Sequence, residues 1–200
     1  QSALAGGGFM TMPLLSQATP PQVLSTDSPF MVGPIEGYSP RVGTLLSTMR
    51  MMREMIFQQL GDLTVEQLDW HLDEEANSIG AMLWHLAATE KYYQLNTFEG
   101  IPWGEWDQSI KDEWDVAMSL GKPAREQIKG HKLDFYLDKL KSVRDATEAE
   151  FAKRDDTWLM ESEEFFGPNL TNNHAKWFHV CEHESNHNGQ IKFIKKRMPK

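Results

Sequence analysis

The chain of 200 residues is 40% hydrophobic, which is enough for one sizeable core and short for two, so we expect a single domain. Its formal net charge of -9 argues against nucleic acid or an anionic membrane as a partner, because binders of polyanions use clustered Lys and Arg. No apolar run reaches the roughly 20 residues that a membrane-spanning helix needs.

The first segment is rich in proline. Residues 1–40 hold six of the ten prolines and only two charged residues, Asp27 and Glu36. Proline fixes φ and removes a backbone donor, so we expect an extended N-terminal arm over residues 1–39. The chain begins with Gln1, which suggests that a leader or another segment was removed upstream and leaves export as an alternative for the compartment.

Two long helices are predicted next, because apolar residues recur at spacings of three or four. The stripe of the first helix consists of Val42, Leu45, Met49, Met52, Ile56 and Leu60. Asn77 and Ser78 offer an N-cap to the second helix, which "FEG" at 98–100 ends. Its stripe consists of Ile79, Met82, Leu83, Leu86 and Tyr93.

Residues 101–125 are aromatic-rich and interrupted by Gly and Pro, which predicts an ordered connection with a short helix at most. Two further helices follow. The third has a stripe of Leu133, Leu137, Leu140, Val143, Thr147 and Phe151, and the fourth has one of Trp177, Val180, Glu184, His187, Ile191 and Ile194. Strand-like alternation occurs nowhere at convincing length. The predicted fold is therefore all-α, a four-helix bundle over residues 40–200.

The histidines of the fourth helix are candidate metal ligands. Cys181 is the only cysteine, so any metal must be held by nitrogen and oxygen atoms. A four-residue separation puts His183 and His187 on nearly the same helix face, and His179 with His183 satisfies the same rule. Spacing alone does not choose between these pairs. The apolar stripe carries His187 inward with His183 beside it, and buried imidazoles need partners.

The segment from His183 to His187 also reads as the H-E-x-x-H of a zinc protease. Zinc proteases take their third ligand downstream of the second histidine, but residues 188–200 contain no His, Asp or Glu. The third ligand must lie upstream, which disfavours a protease. His85, at the margin of the stripe of the second helix, is the upstream candidate.

The segments "NSIGAMLWHLAATEKYY" and "HVCEHESNHNGQIKFI" resemble the DinB/YfiT-like superfamily of metal-dependent four-helix bundles. The resemblance covers residues from about 40 to 197 and implies that the metal ligands are His85, His183 and His187. It also implies a cytoplasmic location, a homodimer, and an activity like that of the thiol-dependent transferases among its relatives.

Three neutral imidazoles leave a divalent ion with an open coordination position, and imidazole favours zinc first and nickel second. An open position allows catalysis, and the resemblance to thiol-dependent transferases implies an enzyme that acts on a small-molecule substrate together with a low-molecular-weight thiol. Glu184 and Gln190 are the candidate catalytic or supporting side chains. The alternatives are a non-catalytic, stress-related metal-binding bundle and, less favoured, a metal-dependent hydrolase.

Overall fold

The structure is a computed structural model that describes Val23 and residues 28–199. These residues form ten elements: α1 (Pro40–Leu60), α2 (Val65–Asp69), α3 (Ile79–Glu99), α4 (Gln108–Ser119), α5 (Gly121–Gln127), α6 (Leu133–Phe151), α7 (Asp156–Met160), β1 (Ser162–Phe166), β2 (Asn169–Asn172) and α8 (Asn173–Lys195). The long helices α1, α3, α6 and α8 confirm the predicted all-α bundle. Most of the arm predicted for residues 1–39 lies outside the described residues.

The four long helices pack unevenly around the core. α1 lies along α8, α8 along α3, and α3 along α6. α1 and α6 make little direct backbone contact, and side chains bridge them instead. Arg50 pairs with Glu148 at 2.7 Å, and Arg53 donates from Nη1 to the Leu140 carbonyl at 2.9 Å. The side of the bundle between α1 and α6 is therefore its open side.

Local sequence signals set the ends and the packing of α3. The Ser78 side chain accepts a hydrogen bond from the Ala81 amide at 3.2 Å, as expected of an N-cap. At the other end Gly100 adopts a left-handed φ of 69°, which glycine tolerates without steric cost. A Cβ atom on Gly80 would lie 2.6 Å from the Tyr136 hydroxyl oxygen. Only glycine at this position lets α6 approach α3 so closely.

The segment expected to be a connection between the second and third long helices is more helical than predicted. It contains α4 and α5 instead of one short helix at most. Trp114 and Ala117 are the buried residues of α4, which packs on α3. Gly121 and Pro123 lie in the first turn of α5, whereas Pro102 and Gly104 lie in the loop before α4.

A small sheet also departs from the sequence prediction, which contained no strands. β1 and β2 form an antiparallel hairpin in which Ser162 pairs with Asn172 and Glu163 with Thr171. Both strands are short and largely exposed, so neither shows the alternation of apolar and polar residues that identifies a half-buried strand. The hairpin leads directly into α8.

Candidate metal centre

The packing of α3 against α8 brings three imidazoles together. The Nε2 atoms of His85 and His183 lie 2.7 Å apart, and the ring of His187 lies 5.0 Å from that of His85 and 4.6 Å from that of His183. One nitrogen from each ring lies within 4.8 Å of the others. His85 and His187 are buried, and His183 is partly exposed. The structure thus gathers the three residues that the sequence analysis proposed as ligands; their role as ligands stays a prediction.

Two of these rings are held at the nitrogen that faces away from the cluster. His85 Nδ1 lies 3.0 Å from the carbonyl oxygen of Ala117 in α4, and His187 Nδ1 lies 3.1 Å from Gln190 Oε1. Because both oxygens are acceptors, each Nδ1 carries the proton and each Nε2 keeps its lone pair. Metal-binding histidines use the same arrangement, in which a hydrogen bond fixes the tautomer and the ring orientation. The donor set therefore fits a divalent cation.

Burial keeps the three imidazoles neutral. It lowers the pKa of His183 to about 3, with further lowering from His187, His85 and His179. Burial also lowers the pKa of His187 to about 4, with a contribution from His85, although the hydrogen bond to Gln190 opposes it. The pKa of His85 is lowered mainly by desolvation. Neutral imidazole is the form that ligates metal ions, so the site is prepared for a cation near neutral pH.

These pKa values predict how the metal-free protein responds to acid. An unfolded histidine takes up a proton near pH 6.5, whereas folded His183 and His187 resist protonation down to about pH 3 and 4. The unfolded state therefore binds more protons as pH falls from 6.5, and the free energy of unfolding decreases. Urea unfolding of chelator-treated protein between pH 6.5 and 5 should show a shallower pH slope for His183→Gln than for wild type. His174→Gln, outside the cluster, should keep the wild-type slope; equal slopes in all three proteins would contradict the prediction.

A second group of side chains adjoins the cluster and shares His183 with it. One ligand atom each from His179, Glu182 and His183 lies within 4.8 Å of the others, and Glu182 is exposed. His179 Nδ1 lies 2.9 Å from the hydroxyl oxygen of buried Tyr93. The His179–His183 pair, left open by helix spacing, is thus also compatible with the structure.

Aromatic side chains cover the side of the site next to His179. Trp103, in the loop before α4, packs on Tyr93 at 5.1 Å between ring centroids and on Phe165 of β1 at 5.3 Å. Phe166 lies 5.7 Å from His179. The loop, whose aromatic residues the sequence suggested as a pocket wall, and the hairpin, which the sequence did not predict, together form an apolar wall beside the imidazoles.

The two candidate catalytic residues are placed differently. Gln190 contacts His187, as described above, whereas Glu184 does not belong to either histidine group and is 1% exposed in the core. The structure thus places Glu184, expected as a catalytic or supporting side chain, in the core and outside both histidine groups. On α8 its side chain points toward α1 and α6, where two arginines neutralise it.

Glu184 is part of a buried ion-pair cluster to which each long helix contributes one residue. Arg53 Nη2 lies 2.6 Å from Glu184 Oε1 and 2.8 Å from Glu90 Oε2. Arg144 donates from Nε to Glu90 Oε1 at 2.8 Å and from Nη2 to Glu184 Oε1 at 2.9 Å. Burial by itself would raise the pKa of Glu90, but Arg144 and Arg53 outweigh it and hold that pKa at about 2. Glu90 is therefore ionised at neutral pH.

The fold and the site together define a class: a helical bundle in which imidazoles from two packed helices converge in the core. The sequence matches the DinB superfamily model over residues 48–191, and the chain belongs to this superfamily. Among curated proteins, no sequence matches.

Three solved structures share the fold at low identity. A conserved protein from Enterococcus faecalis is 12% identical, with a TM-score of 0.59 over 76% of this chain and 94% of that one. The colibactin self-resistance protein ClbS, in complex with a dsDNA, is 12% identical, with a TM-score of 0.58 over 79% and 97%. A DinB-like protein from Bacillus cereus is 19% identical, with a TM-score of 0.51 over 77% and 90%.

The exclusion of nucleic acid as a partner is wrong, because ClbS, a protein of this fold, was crystallised with a dsDNA. The exclusion relied on the net charge of -9, which is a sum over the chain and does not describe any one surface.

Among the described helices, none combines the length and the hydropathy needed to cross a membrane.

Proposed function

We propose that this chain is a metal-dependent transferase that joins a low-molecular-weight thiol to an electrophilic small molecule, with His85, His183 and His187 as the metal ligands. The observation that carries the proposal is the convergence of three neutral imidazoles, two of which are held at Nδ1 so that Nε2 is free. Zinc is the first choice of metal and nickel the second. A divalent cation with an open coordination position favours the thiolate form of a bound thiol.

The surrounding residues support this activity by orientation and by exclusion of water. The Ala117 carbonyl and the Gln190 side chain keep His85 and His187 in the tautomer that a cation requires. Trp103, Tyr93 and Phe165 form an apolar wall that would lower the polarity around a reacting thiol. Gln190 is thus a positioning residue in this proposal, and Glu184 has no role at the reacting atoms.

The alternative is a metal-binding bundle without catalytic activity, in which a fourth protein ligand closes the site. His179 and Glu182 lie close enough to His183 to make this alternative specific. His179→Ala separates the two functions. It should leave metal content unchanged if the open position serves catalysis, and should lower metal affinity if His179 completes the coordination.

Metal content is the first test. Elemental analysis of the purified wild-type protein should find about one zinc or nickel ion per chain, and His85→Ala, His183→Ala and His187→Ala should each lose it. His174→Ala, on the same helix as two of the ligands, is the matched control and should keep the ion. Retention of the ion in His85→Ala would remove α3 from the site and end the proposal.

Activity is the second test. The zinc-loaded protein should accelerate conjugation of a thiol such as cysteine or glutathione to an aryl or alkyl electrophile, and His187→Ala should not. Since ClbS was crystallised with a dsDNA, a dsDNA duplex belongs among the ligands that are titrated. Full metal occupancy without conjugation of any thiol would favour the non-catalytic alternative.

A further inference from the structure

The open side of the bundle between α1 and α6 contains two adjoining cavities. One, of about 340 Å³, lies toward Ile35 and Ser47, and the other, of about 610 Å³, lies toward Leu60 and Leu133. Both are lined by Arg53, Phe57 and Arg144, so they are two ends of one groove, here called the α1–α6 groove. Its larger end has the volume of a typical small-molecule site.

The floor of the α1–α6 groove offers an unused hydrogen-bond donor. Arg144 is 7% exposed and lines both cavities. Its Nε and Nη2 atoms donate to Glu90 and Glu184, but its buried Nη1 has no hydrogen-bond partner among the described residues. An unsatisfied buried donor is costly, and one on a charged guanidinium group especially so. Nη1 is thus a donor just beneath the lining of the groove, and an oxygen atom that reaches it would satisfy it.

The walls of the larger end are apolar. Phe57 and Leu60 of α1 face Leu133 and Leu137 of α6. From Arg53 to Gly61 the groove follows α1 for about 12 Å, at 1.5 Å of rise per residue. This length suits the extended chain of a medium-chain fatty acid, with its polar end at the arginines.

Charged residues at the rim do not cancel the attraction at the floor. The lining of the larger end includes Asp62, Asp138, Asp145 and Lys141, all of which are exposed. Lys141 Nζ already pairs with Asp145 at 2.5 Å. Exposed charges are screened by solvent. At the floor, Glu90 and Glu184 already match the charges of Arg53 and Arg144, so the attraction comes from the unsatisfied Nη1 donor, for which a carboxylate oxygen is a stronger acceptor than a neutral oxygen.

We propose that the α1–α6 groove binds an amphipathic carboxylate. One carboxylate oxygen accepts hydrogen bonds from Arg144 Nη1, and the hydrocarbon chain lies on Phe57, Leu60, Leu133 and Leu137. None of the residues that line the two cavities belongs to either histidine group, so this site is separate from the candidate metal centre. It is independent of the proposed transferase activity.

Calorimetric titration of the full chain with decanoate, and separately with decanol, tests the proposal. The two probes share the hydrocarbon chain and differ in the charged head group. Decanoate should bind in a one-to-one complex and decanol about tenfold more weakly or worse, because it cannot form a charged hydrogen bond with Arg144. Equal binding of the two probes, or no binding of decanoate at millimolar concentration, would overturn the proposal.

Variants of an exposed wall residue avoid the risk of unfolding the core. Phe57 is 36% exposed, so Phe57→Asp should fold and should weaken decanoate binding about tenfold or more by placing a negative charge in the groove. Phe178→Asp is the matched control, since Phe178 is 57% exposed on α8 and does not line the groove. Arg144→Lys keeps the positive charge but removes Nη1. This variant should also bind decanoate more weakly than wild type, and its affinity for decanol should be unchanged. Equal effects of Phe57→Asp and Phe178→Asp would contradict the location.

A carboxylate can also bind a metal ion, so the same titration is repeated on His187→Ala. Decanoate should bind this variant as it binds wild type, because the α1–α6 groove does not involve the imidazoles. Loss of decanoate binding in His187→Ala, with retention in Phe57→Asp, would assign the carboxylate to the metal centre and refute the groove site. This outcome would leave the proposed transferase activity untouched.

Discussion

Replacement of Glu90 by alanine is expected to lower the free energy of unfolding by about 3–5 kcal/mol, because Arg53 and Arg144 would then share one carboxylate, that of Glu184, and one buried positive charge would be left uncompensated. Glu90 is fully buried and accepts hydrogen bonds from Arg53, Arg144 and Thr147. Alanine removes all of these acceptors. Urea unfolding followed by circular dichroism at neutral pH measures the change, in a range where Glu90, with a pKa of about 2, is fully ionised.

The control for Glu90→Ala is the exposed ion pair between Arg50 and Glu148, whose side chains are 42% and 27% exposed. Glu148→Ala should cost less than about 1 kcal/mol, because solvent screens the pair and can hydrate the arginine that remains. Glu90→Gln should fall between the two, since the amide keeps one acceptor but loses the charge. Similar losses for Glu90→Ala and Glu148→Ala would mean that the cluster does not stabilise the bundle.

The sequence places the charged residues of the buried ion-pair cluster on the apolar faces of their helices, but it does not identify which of them pair. Arg53 follows Met49 by four positions, Glu90 follows Leu86 by four, and Arg144 follows Leu140 by four, so each charge lies on the apolar face of its helix. A charge at such a position predicts a buried partner. Glu184 was instead assigned a catalytic or supporting role, because its arginine partners lie 131 and 40 residues away and helix spacing gives no information on such pairs.

The apolar stripes predicted the four long helices because a regular period of three or four survives in a single sequence. The proximity of His85 to His183 followed from the buried faces of α3 and α8 together with the family resemblance. The contact between His85 and the Ala117 carbonyl was not predictable, because a backbone oxygen leaves no side-chain signal and α4 was expected to be a connection. The hairpin was missed because its strands are short and exposed.

The charge argument failed for a different reason. Net charge constrains solubility and long-range attraction, but binding depends on the groups that one surface presents. The α1–α6 groove illustrates the distinction, since a chain with a net charge of -9 has a buried arginine donor at the floor of an apolar groove. Partner classes are therefore better inferred from local groups than from the sum of charges.

Zinc is expected to stabilise the fold by linking α3 to α8. A ligand that binds only the folded state adds RT ln(1 + [L]/Kd), which is about 4 kcal/mol when free zinc exceeds Kd a thousandfold. Urea unfolding of chelator-treated protein with and without zinc measures this gain. His85→Ala should lose most of it, because the ion would then be held by α8 alone and would no longer connect two helices. His174→Ala should keep the full gain.

The specificity of the effect follows from the donor set. Three imidazole nitrogens favour zinc or nickel, whereas calcium and magnesium prefer oxygen ligands, so the last two should leave the free energy of unfolding unchanged at equal concentration. A full zinc gain in His85→Ala that disappears in His179→Ala would instead assign the ion to His179, Glu182 and His183. In that case the cation would lie on the exposed face of α8, and the buried imidazoles of His85 and His187 would need another explanation.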